Sequence, residues 1–249
     1  MEKFFNIRYE FDVLTIHKNI DRQVELGEPG YVCVADGNVL NIVNCNEEYK
    51  NVVDGSLFSI CDSSWTPTFI KWIYGYQYRH YCGNDIFMNI VNSHKYRMAF
   101  LGAKQNVLDS LKLNLQRYNP AIADMLFYEL PFRNVEDFDY AGIAEMLNKD
   151  GADIIWIALG APKQETFMSK LKPYLKKGVI IAVGAVFNFN CGLKNAPQRS
   201  PEWLRRLHLE FLHRIFKEPK KQIKRCWGIV ITLPRILFQE WKIKSKNKK

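Results

Sequence analysis

The chain has 249 residues, of which 47% are hydrophobic and 14% aromatic; this is enough for a packed core and excludes a largely disordered protein. Its formal net charge of +9 is uneven, because residues 199–249 contain 15 Lys and Arg and 4 Glu, whereas the residues before them contain 20 basic and 22 acidic side chains. Uncharged apolar runs such as residues 226–234 are far shorter than the roughly 20 residues of a membrane-spanning helix. The sequence therefore predicts a globular body, a basic C-terminal segment and no transmembrane helix.

Cysteine usage and the first residues indicate the compartment. The six cysteines form no CxxC pair, and the charged start Met1-Glu2-Lys3 leads into no apolar signal segment. This pattern is typical of a reducing environment, so we expect a cytoplasmic protein. The histidines show no spacing with cysteine or carboxylate that would bind a metal, and no metal site is predicted.

The predicted elements alternate between apolar strands and amphipathic helices. In the first ninety residues, strands are expected at 31–35 and 57–61, with a helix at 40–53 between them. Further along, the pattern predicts strands at 97–103, 122–129, 153–160 and 178–185, and helices at 106–118, 136–150 and 163–171. Because these strands are continuously apolar, they indicate a parallel sheet with helices on both faces, which is a Rossmann-like α/β fold.

A different kind of segment follows residue 198. A helix is expected at 201–218, and residues 220–249 then mix lysines and arginines with aromatic and aliphatic side chains. This segment can be a solvated face, a nucleic-acid-binding arm or an amphipathic segment on a membrane surface. The interleaved apolar residues favour an anionic membrane surface, near which each basic residue adds about 1 kcal/mol. We therefore expect a body at 1–198, a membrane-binding helical appendage at 199–249 and no nucleic-acid partner.

Three predicted strands end at glycines, and one of these ends carries the sharpest local motif. Gly102, Gly160 and Gly184 close strands whose carboxyl ends line the crevice where open α/β sheets bind ligands. Residues 160–165, Gly-Ala-Pro-Lys-Gln-Glu, lead into a helix, and Pro162 suits its first position. The motif is neither a GxGxxG nor a Walker loop, so an ordinary strand-to-helix turn and a nucleotide-sized ligand site both stay open.

Asp62 follows the apolar run 57–61 and is the candidate general base. At a strand end its carboxylate can take a proton from a hydroxyl as a bond forms. The alternative is an N-cap or Asx turn before a helix at 65–74. Residues 137–139, Asp-Phe-Asp, match the DxD of many metal-dependent sugar-nucleotide enzymes, but they lie at an expected helix start, where acidic side chains complement the helix dipole.

An ordered series of motifs resembles the WecG/TagA/CpsF family of bacterial glycosyltransferases. The family's Gly-x-Pro-Lys-Gln-Glu is matched by Gly160, Pro162, Lys163, Gln164 and Glu165. Its Gly-x-x-Phe-Asp-Phe is similar to residues 184–189, and its Arg-Ala-Pro-x-Trp and Leu-Glu-Trp elements are similar to residues 199–203 and 209–211, before Arg214 and Glu218-Pro219.

Upstream matches supply further candidate residues. The family's strand-end Asp-Gly resembles Asp62-Ser63, and its Thr-x-Asn resembles residues 36–38. Its arginine followed by Gly-x-Asp resembles Arg79 and residues 83–85. The resemblance implies Asp62 as catalytic base and a substrate site built from Asn38, Arg79, Gly102, Gly160, Pro162, Lys163, Gln164, Glu165, Gly184, Asn188, Arg199 and Arg214. The chain departs from the family pattern at Asp36, Ser63, Ala103 and Asn188, which replace threonine, glycine, glycine and aspartate.

The resemblance also implies a reaction. It is that of an inverting, metal-independent hexosyltransferase, which moves an N-acetylmannosamine-type or related sugar from a UDP-sugar to a polyprenyl-diphosphate-linked sugar in cell-surface polysaccharide or teichoic acid-type biosynthesis. No cofactor is expected, because the UDP-sugar is a substrate, and the enzyme would lie on the inner face of the cell membrane. A non-catalytic membrane-surface protein that binds a nucleotide-sugar or lipid diphosphate is the alternative, and a homo-oligomer stays open.

Overall fold

Eight strands form one sheet in the part of the chain that the computed structural model describes, residues 1–193, 195–207, 209–217 and 219–246. The strands are β1 (Glu2–Phe4), β2 (Ile7–Glu10), β3 (Gly30–Ala35), β4 (Phe58–Cys61), β5 (Met98–Gly102), β6 (Leu126–Tyr128), β7 (Ile154–Ala158) and β8 (Val179–Ala182). Their order across the sheet is β1-β2-β4-β3-β8-β7-β5-β6, and every neighbouring pair is parallel except the antiparallel β1 and β2. The predicted parallel α/β sheet is therefore confirmed.

The helices cover both faces of the sheet. They are α1 (Val13–Leu26), α2 (Gly37–Val43), α3 (Glu47–Asp54), α4 (Thr66–Tyr74), α5 (Gly83–Ser93), α6 (Gln105–Leu115), α7 (Tyr140–Asp150), α8 (Lys163–Leu171), α9 (Val186–Asn190), α10 (Glu202–Arg206), α11 (Glu210–Lys217) and α12 (Pro219–Lys246). Neighbouring strand residues point to opposite cores: Ile155 packs with α7 and α8, and Trp156 packs with α5 and α6. This double burial is the reason for the continuously apolar strands.

Polar residues split one of the elements that the sequence predicted and shorten two others. The expected helix at 40–53 is split into α2 and α3, because the Asn46 side chain accepts a hydrogen bond from the Tyr49 amide at 2.8 Å and caps a new helix. The expected helix at 136–150 begins only at Tyr140, where Asp139 accepts from the Gly142 amide at 2.9 Å. The predicted strand at 122–129 shortens to β6, because residues 120–124 form a 3₁₀ turn after Asn119.

The C-terminal region is helical, as predicted, but its helices have different bounds. The expected helix at 201–218 is divided into α10 and α11, and the basic segment after it forms the long helix α12. None of the helices in the described ranges is both long enough and apolar enough to cross a membrane.

Helix α12 packs on the body through one of its faces. Ile236 is 3% exposed and belongs to the core that α2 and α4 cover. Glu240 is equally buried, and its Oε1 accepts a hydrogen bond from the Tyr74 hydroxyl at 2.8 Å. Nearer its start, the Ile229 side chain lies 3.4 Å from the position that a Cβ would occupy at Gly37. The last helix therefore completes the core beside β3 and β4, while the division between residues 198 and 199 stays a prediction.

Candidate active site

Five adjacent strands bring the predicted site residues to one edge of the sheet. Asp62 follows β4, Gly102 ends β5, and Gly160 and Gly184 follow β7 and β8 within two residues. The order β4-β3-β8-β7-β5 makes these strands consecutive and parallel, so their carboxyl ends lie side by side. This is the edge at which open α/β sheets bind ligands.

The Asp62 carboxylate faces the N-terminus of α5. Its Oδ1 accepts a hydrogen bond from the backbone amide of Gly83, the first residue of α5, at 2.7 Å. A Cβ at Gly83 would lie 3.3 Å from Val34 Cγ1 and 3.8 Å from Asp62 Oδ1, so glycine gives the carboxylate close access to the helix end. The amide donates to one carboxylate oxygen, and the N-terminus of the helix supplies positive potential. Asp62 is thereby oriented and held close to positive potential.

The N-cap residue of α4 is Trp65, three residues after Asp62. Helix α4 begins at Thr66 after Trp65 and has no side-chain cap that meets hydrogen-bond geometry at its N-cap residue. The amides of Trp65 and Thr66 instead donate to the Ser63 hydroxyl, at 3.3 and 3.4 Å.

Arg199 reaches the same helix end from the C-terminal region. Its guanidinium pairs with the Asp85 carboxylate at 3.2 Å and donates to Cys82 Sγ at 2.8 Å. Burial and the neighbouring Asp62 carboxylate raise the pKa of the Cys82 thiol to about 12, so the sulfur accepts this bond as a neutral thiol. An arginine that the sequence assigns to the appendage therefore contacts the helix end that also binds Asp62.

Gln164 closes the turn between β7 and α8. Its side-chain Oε1 accepts from the Gly160 amide at 3.0 Å, while its own backbone amide donates to the Gly160 carbonyl at 3.1 Å. The same Oε1 lies 3.6 Å from where a Cβ would stand at Gly184, so Gln164 borders the ends of β7 and β8. Gly160 has φ +79°, in the region that favours glycine. Pro162 is the N-cap of α8 and not its predicted first residue.

Glu165 is placed differently from a substrate-contacting residue. It is 0% exposed, and its Oε1 accepts from Gln164 Nε2 at 2.9 Å. The buried Tyr49 side chain of α3 interacts with the same carboxyl. Burial raises the pKa of the Glu165 carboxyl to about 7. Glu165 therefore supports the site from inside the protein.

Lys163 and Asn38 lie in the first turns of α8 and α2. The Lys163 ammonium donates to the Arg133 carbonyl and lies over the rings of Phe132 and Phe138, at 5.4 and 5.1 Å from their centroids. Burial lowers the pKa of Lys163. Asn38 is half-buried in the first turn of α2, where its amide and that of the next residue donate to Asp36 Oδ1, both at 2.9 Å.

The remaining predicted residues are less closely connected to the centre. Arg79 is exposed between α4 and α5 and makes no hydrogen bond or ion pair to a described residue. Asn188 lies half-buried in α9, directly after the Gly184 turn. Arg214 belongs to α11, and its side chain lies outside the described part of the chain.

Two contacts were missed by the sequence analysis. Arg225, which the sequence assigns to a membrane-facing segment, donates from Nη2 to the Ala161 carbonyl at 3.1 Å, inside the Gly160–Glu165 motif. Tyr49 approaches Glu165 from α3. Neither contact could be recognised from the neighbouring sequence. A basic residue in a basic helix is explained by solvent or membrane exposure, and an aromatic residue on an apolar helix face is explained by core packing.

Within the described residues, no group of three or more His, Cys, Asp or Glu side chains is arranged to hold a metal ion. The aspartates of the DxD match have separate surroundings. Asp139 caps α7, as the predicted helix start implies, and Asp137 lies exposed in a 3₁₀ turn.

Comparison with known proteins identifies the family. The model of the WecG/TagA/CpsF family of glycosyl transferases matches residues 3–248. An N-acetylglucosaminyldiphosphoundecaprenol N-acetyl-beta-D-mannosaminyltransferase of Bacillus subtilis (strain 168) is 24% identical over 261 aligned positions, which cover 100% of this chain and 93% of the relative. A protein of the same name from Bacillus spizizenii is 23% identical, over 76% of this chain and 70% of its own length. Because the family model covers nearly every residue, this chain belongs to the WecG/TagA/CpsF family of glycosyl transferases.

Proposed function

We propose that this glycosyl transferase moves an N-acetylmannosamine-type or related hexose from a UDP-sugar to a polyprenyl-diphosphate-linked sugar during synthesis of a bacterial cell-surface polymer. The names of the two relatives, which describe transfer of N-acetylmannosamine to N-acetylglucosaminyldiphosphoundecaprenol, support the acceptor class. The observation that carries the proposal is the Asp62 carboxylate, held by the α5 N-terminus at the ligand-binding edge of the sheet. Arg199 contacts the same helix end through Cys82 and Asp85.

In the proposed reaction Asp62 is the general base. It takes the proton of the acceptor hydroxyl as the hydroxyl oxygen bonds to the anomeric carbon of the donor sugar. The bond between that carbon and the phosphate oxygen breaks, and UDP leaves with the electron pair. Attack from the face opposite the leaving group inverts the anomeric configuration.

The leaving diphosphate gains negative charge, which the protein stabilises in this proposal without a metal ion. The N-termini of α5 and α8 lie at the strand ends and contribute positive potential there. Arg199 and Arg214 add full charges, and Gln164 and Asn38 orient the donor or the acceptor.

The outward face of α12 supports an acceptor in a membrane. Five apolar residues of this face are 54–66% exposed and recur at intervals of four, three, eight and three residues, so they form one stripe along the helix: Ile223, Trp227, Val230, Phe238 and Trp241. At 1.5 Å per residue this stripe is about 27 Å long. Lysines and arginines of the same helix would attract the anionic inner surface of the cell membrane.

A UDP-release assay tests the proposal. The purified protein is mixed with a panel of UDP-sugars and with vesicles that carry a polyprenyl-diphosphate sugar, and matched vesicles without the acceptor lipid are the control. We expect UDP release with at least one donor, only when acceptor vesicles are present. UDP binding without release for any donor would contradict transfer and favour the non-catalytic alternative.

A further inference from the structure

The side-chain amide of Gln164 is held at both of its ends. Its Oε1 accepts from the Gly160 amide at 3.0 Å, and its Nε2 donates to Glu165 Oε1 at 2.9 Å. If the amide were rotated by 180°, its NH₂ would face the N–H of Gly160 and its oxygen would face the Glu165 carboxylate. Both contacts would then be repulsive, so the pair of bonds selects one orientation of the amide.

Glu165 holds this amide from a place that a ligand cannot reach. The side chain is 0% exposed, whereas Gly160 and Gly184, which Gln164 borders, lie at the sheet edge and are partly exposed. A carboxyl group is costly to bury, and burial raises the pKa of this one to about 7. If this side chain only filled space in the core, an apolar side chain of similar volume would give a more stable protein.

We propose that Glu165 is a positioning residue, which sets the orientation of the Gln164 amide and thereby the shape of the Gly160 turn, and which does not itself touch the sugar nucleotide. This inference deepens the proposed function, since it rests on Gln164 and the Gly160 turn bordering the donor. It changes the role that the family resemblance gives to Glu165, from contacting the substrate to supporting the residue beside it.

The surroundings of Glu165 match this role. Tyr49 approaches the same carboxyl from α3, and Cys33 of β3 and Asp36 at the end of β3 interact with it electrostatically. The carboxyl thus connects α8 with α3 and β3. Strand β3 is the neighbour of β8 on the side away from β7, and α3 and α8 contribute to the same core on one face of the sheet. Its hydrogen bond to Gln164 connects this buried junction to the strand-end loop.

The test removes the carboxylate that accepts the hydrogen bond from the Gln164 amide, and it does so without making a cavity. Glu165→Met keeps most of the side-chain volume but cannot hold the Gln164 NH₂ in the same way, whereas Glu165→Gln retains an acceptor oxygen. Two readouts are used: hydrogen exchange of the Gln164 side-chain NH₂, followed by NMR on glutamine-labelled protein, and UDP affinity measured by calorimetry. Asp109→Ala is the matched control, because it removes a carboxylate that accepts from a glutamine amide, that of Gln105, at 2.7 Å on the exposed side of α6.

We expect Glu165→Met to lose exchange protection of the Gln164 NH₂ and to weaken UDP binding about tenfold, the effect of about one hydrogen bond. Glu165→Gln should keep both the exchange protection and the UDP affinity within about twofold of the wild type, and Asp109→Ala should change neither. Added to Gln164→Ala, the Glu165→Met change weakens UDP binding no further, because the two act through one contact. Unchanged protection in Glu165→Met, or additive losses in the double variant, would overturn the proposal.

Failure of the proposed function gives a different result. If the wild-type protein binds no UDP, the donor class is wrong, but the exchange measurement still shows whether Glu165 fixes the Gln164 amide. If UDP binds and protection is lost without any change in affinity, Glu165 orients Gln164 but the donor does not depend on it, which also overturns the inference.

Discussion

Replacing Glu165 by glutamine should change how the stability of the protein depends on pH. Burial raises the pKa of this fully buried carboxyl from the ordinary 4.5 to about 7. Between these values the folded protein binds a proton that the unfolded chain does not. The contribution of this carboxyl to folded-state stability is therefore fully present below pH 4.5 and is lost as the pH rises through about 7. The difference between these two pKa values corresponds to about 3 kcal/mol of folding stability. The Glu165→Gln variant does not lose this stability as the pH rises, because the glutamine side chain does not titrate.

Urea unfolding of the wild type and of Glu165→Gln at pH 5, 6, 7 and 8 measures this contribution. The stability of the variant relative to the wild type should rise by up to about 3 kcal/mol from pH 5 to pH 8, with most of the change by pH 7. Other titrating groups contribute equally to both proteins and cancel. Glu145→Gln is the control, because it makes the same substitution at an exposed position on α7. Parallel pH profiles for Glu165→Gln and the wild type would refute a buried carboxyl that gains a proton on folding.

Three further outcomes test the proposed reaction. Asp62→Asn should retain UDP binding but lose turnover by roughly 10²–10⁴-fold, whereas Asp137→Asn, which changes an exposed aspartate, should keep both; full turnover in Asp62→Asn would remove that residue from the mechanism. EDTA should leave the rate of UDP release unchanged, and a strict requirement for Mg²⁺ or Mn²⁺ would show that the reaction uses a metal. Replacing both Trp227 and Trp241 by glutamate should abolish co-sedimentation with anionic vesicles, while glutamate at the exposed Phe132 should not; equal binding by all three proteins would exclude the α12 stripe as the contact.

The sequence predicted the sheet well because its strands are buried on both faces. A run such as Ile154–Ala158 must be apolar at every position, and it is bounded by turn residues that are visible in the sequence. The first two strands lacked this signal. Ile7–Glu10 alternates between buried and half-buried positions over four residues, a pattern too short to separate from a loop, and the antiparallel pairing of β1 with β2 was not expected.

The candidate site was predictable where a residue's role follows from its strand end. Asp62 and Gly160 fall into this class, since a parallel sheet brings such ends together. The contacts between distant segments were not predictable. Gly83 donates to Asp62 across 21 residues, and Arg199 reaches Cys82 across 117. Periodicity describes which face of an element is apolar, and it contains no information about which loops meet.

The docking of α12 could not be read from its composition either. Its outward stripe and its basic residues suggest an independent amphipathic segment, and both are present in the structure. The opposite face carries only a few apolar residues, such as Ile236, and one buried acid, Glu240. Those few contacts fix the helix on the body because α2 and α4 leave a complementary surface, which belongs to the tertiary structure alone.

The two edges of the sheet limit how copies of this chain can associate. The outermost strands, β1 and β6, each have three residues, Glu2–Phe4 and Leu126–Tyr128. An edge of that length offers very few unpaired backbone groups, so a second chain gains little by adding a strand of its own. Misassembly by continuation of the sheet is correspondingly disfavoured. Any homo-oligomer would have to be built from helix surfaces, and a variant that lengthens β6 should be the one that begins to aggregate.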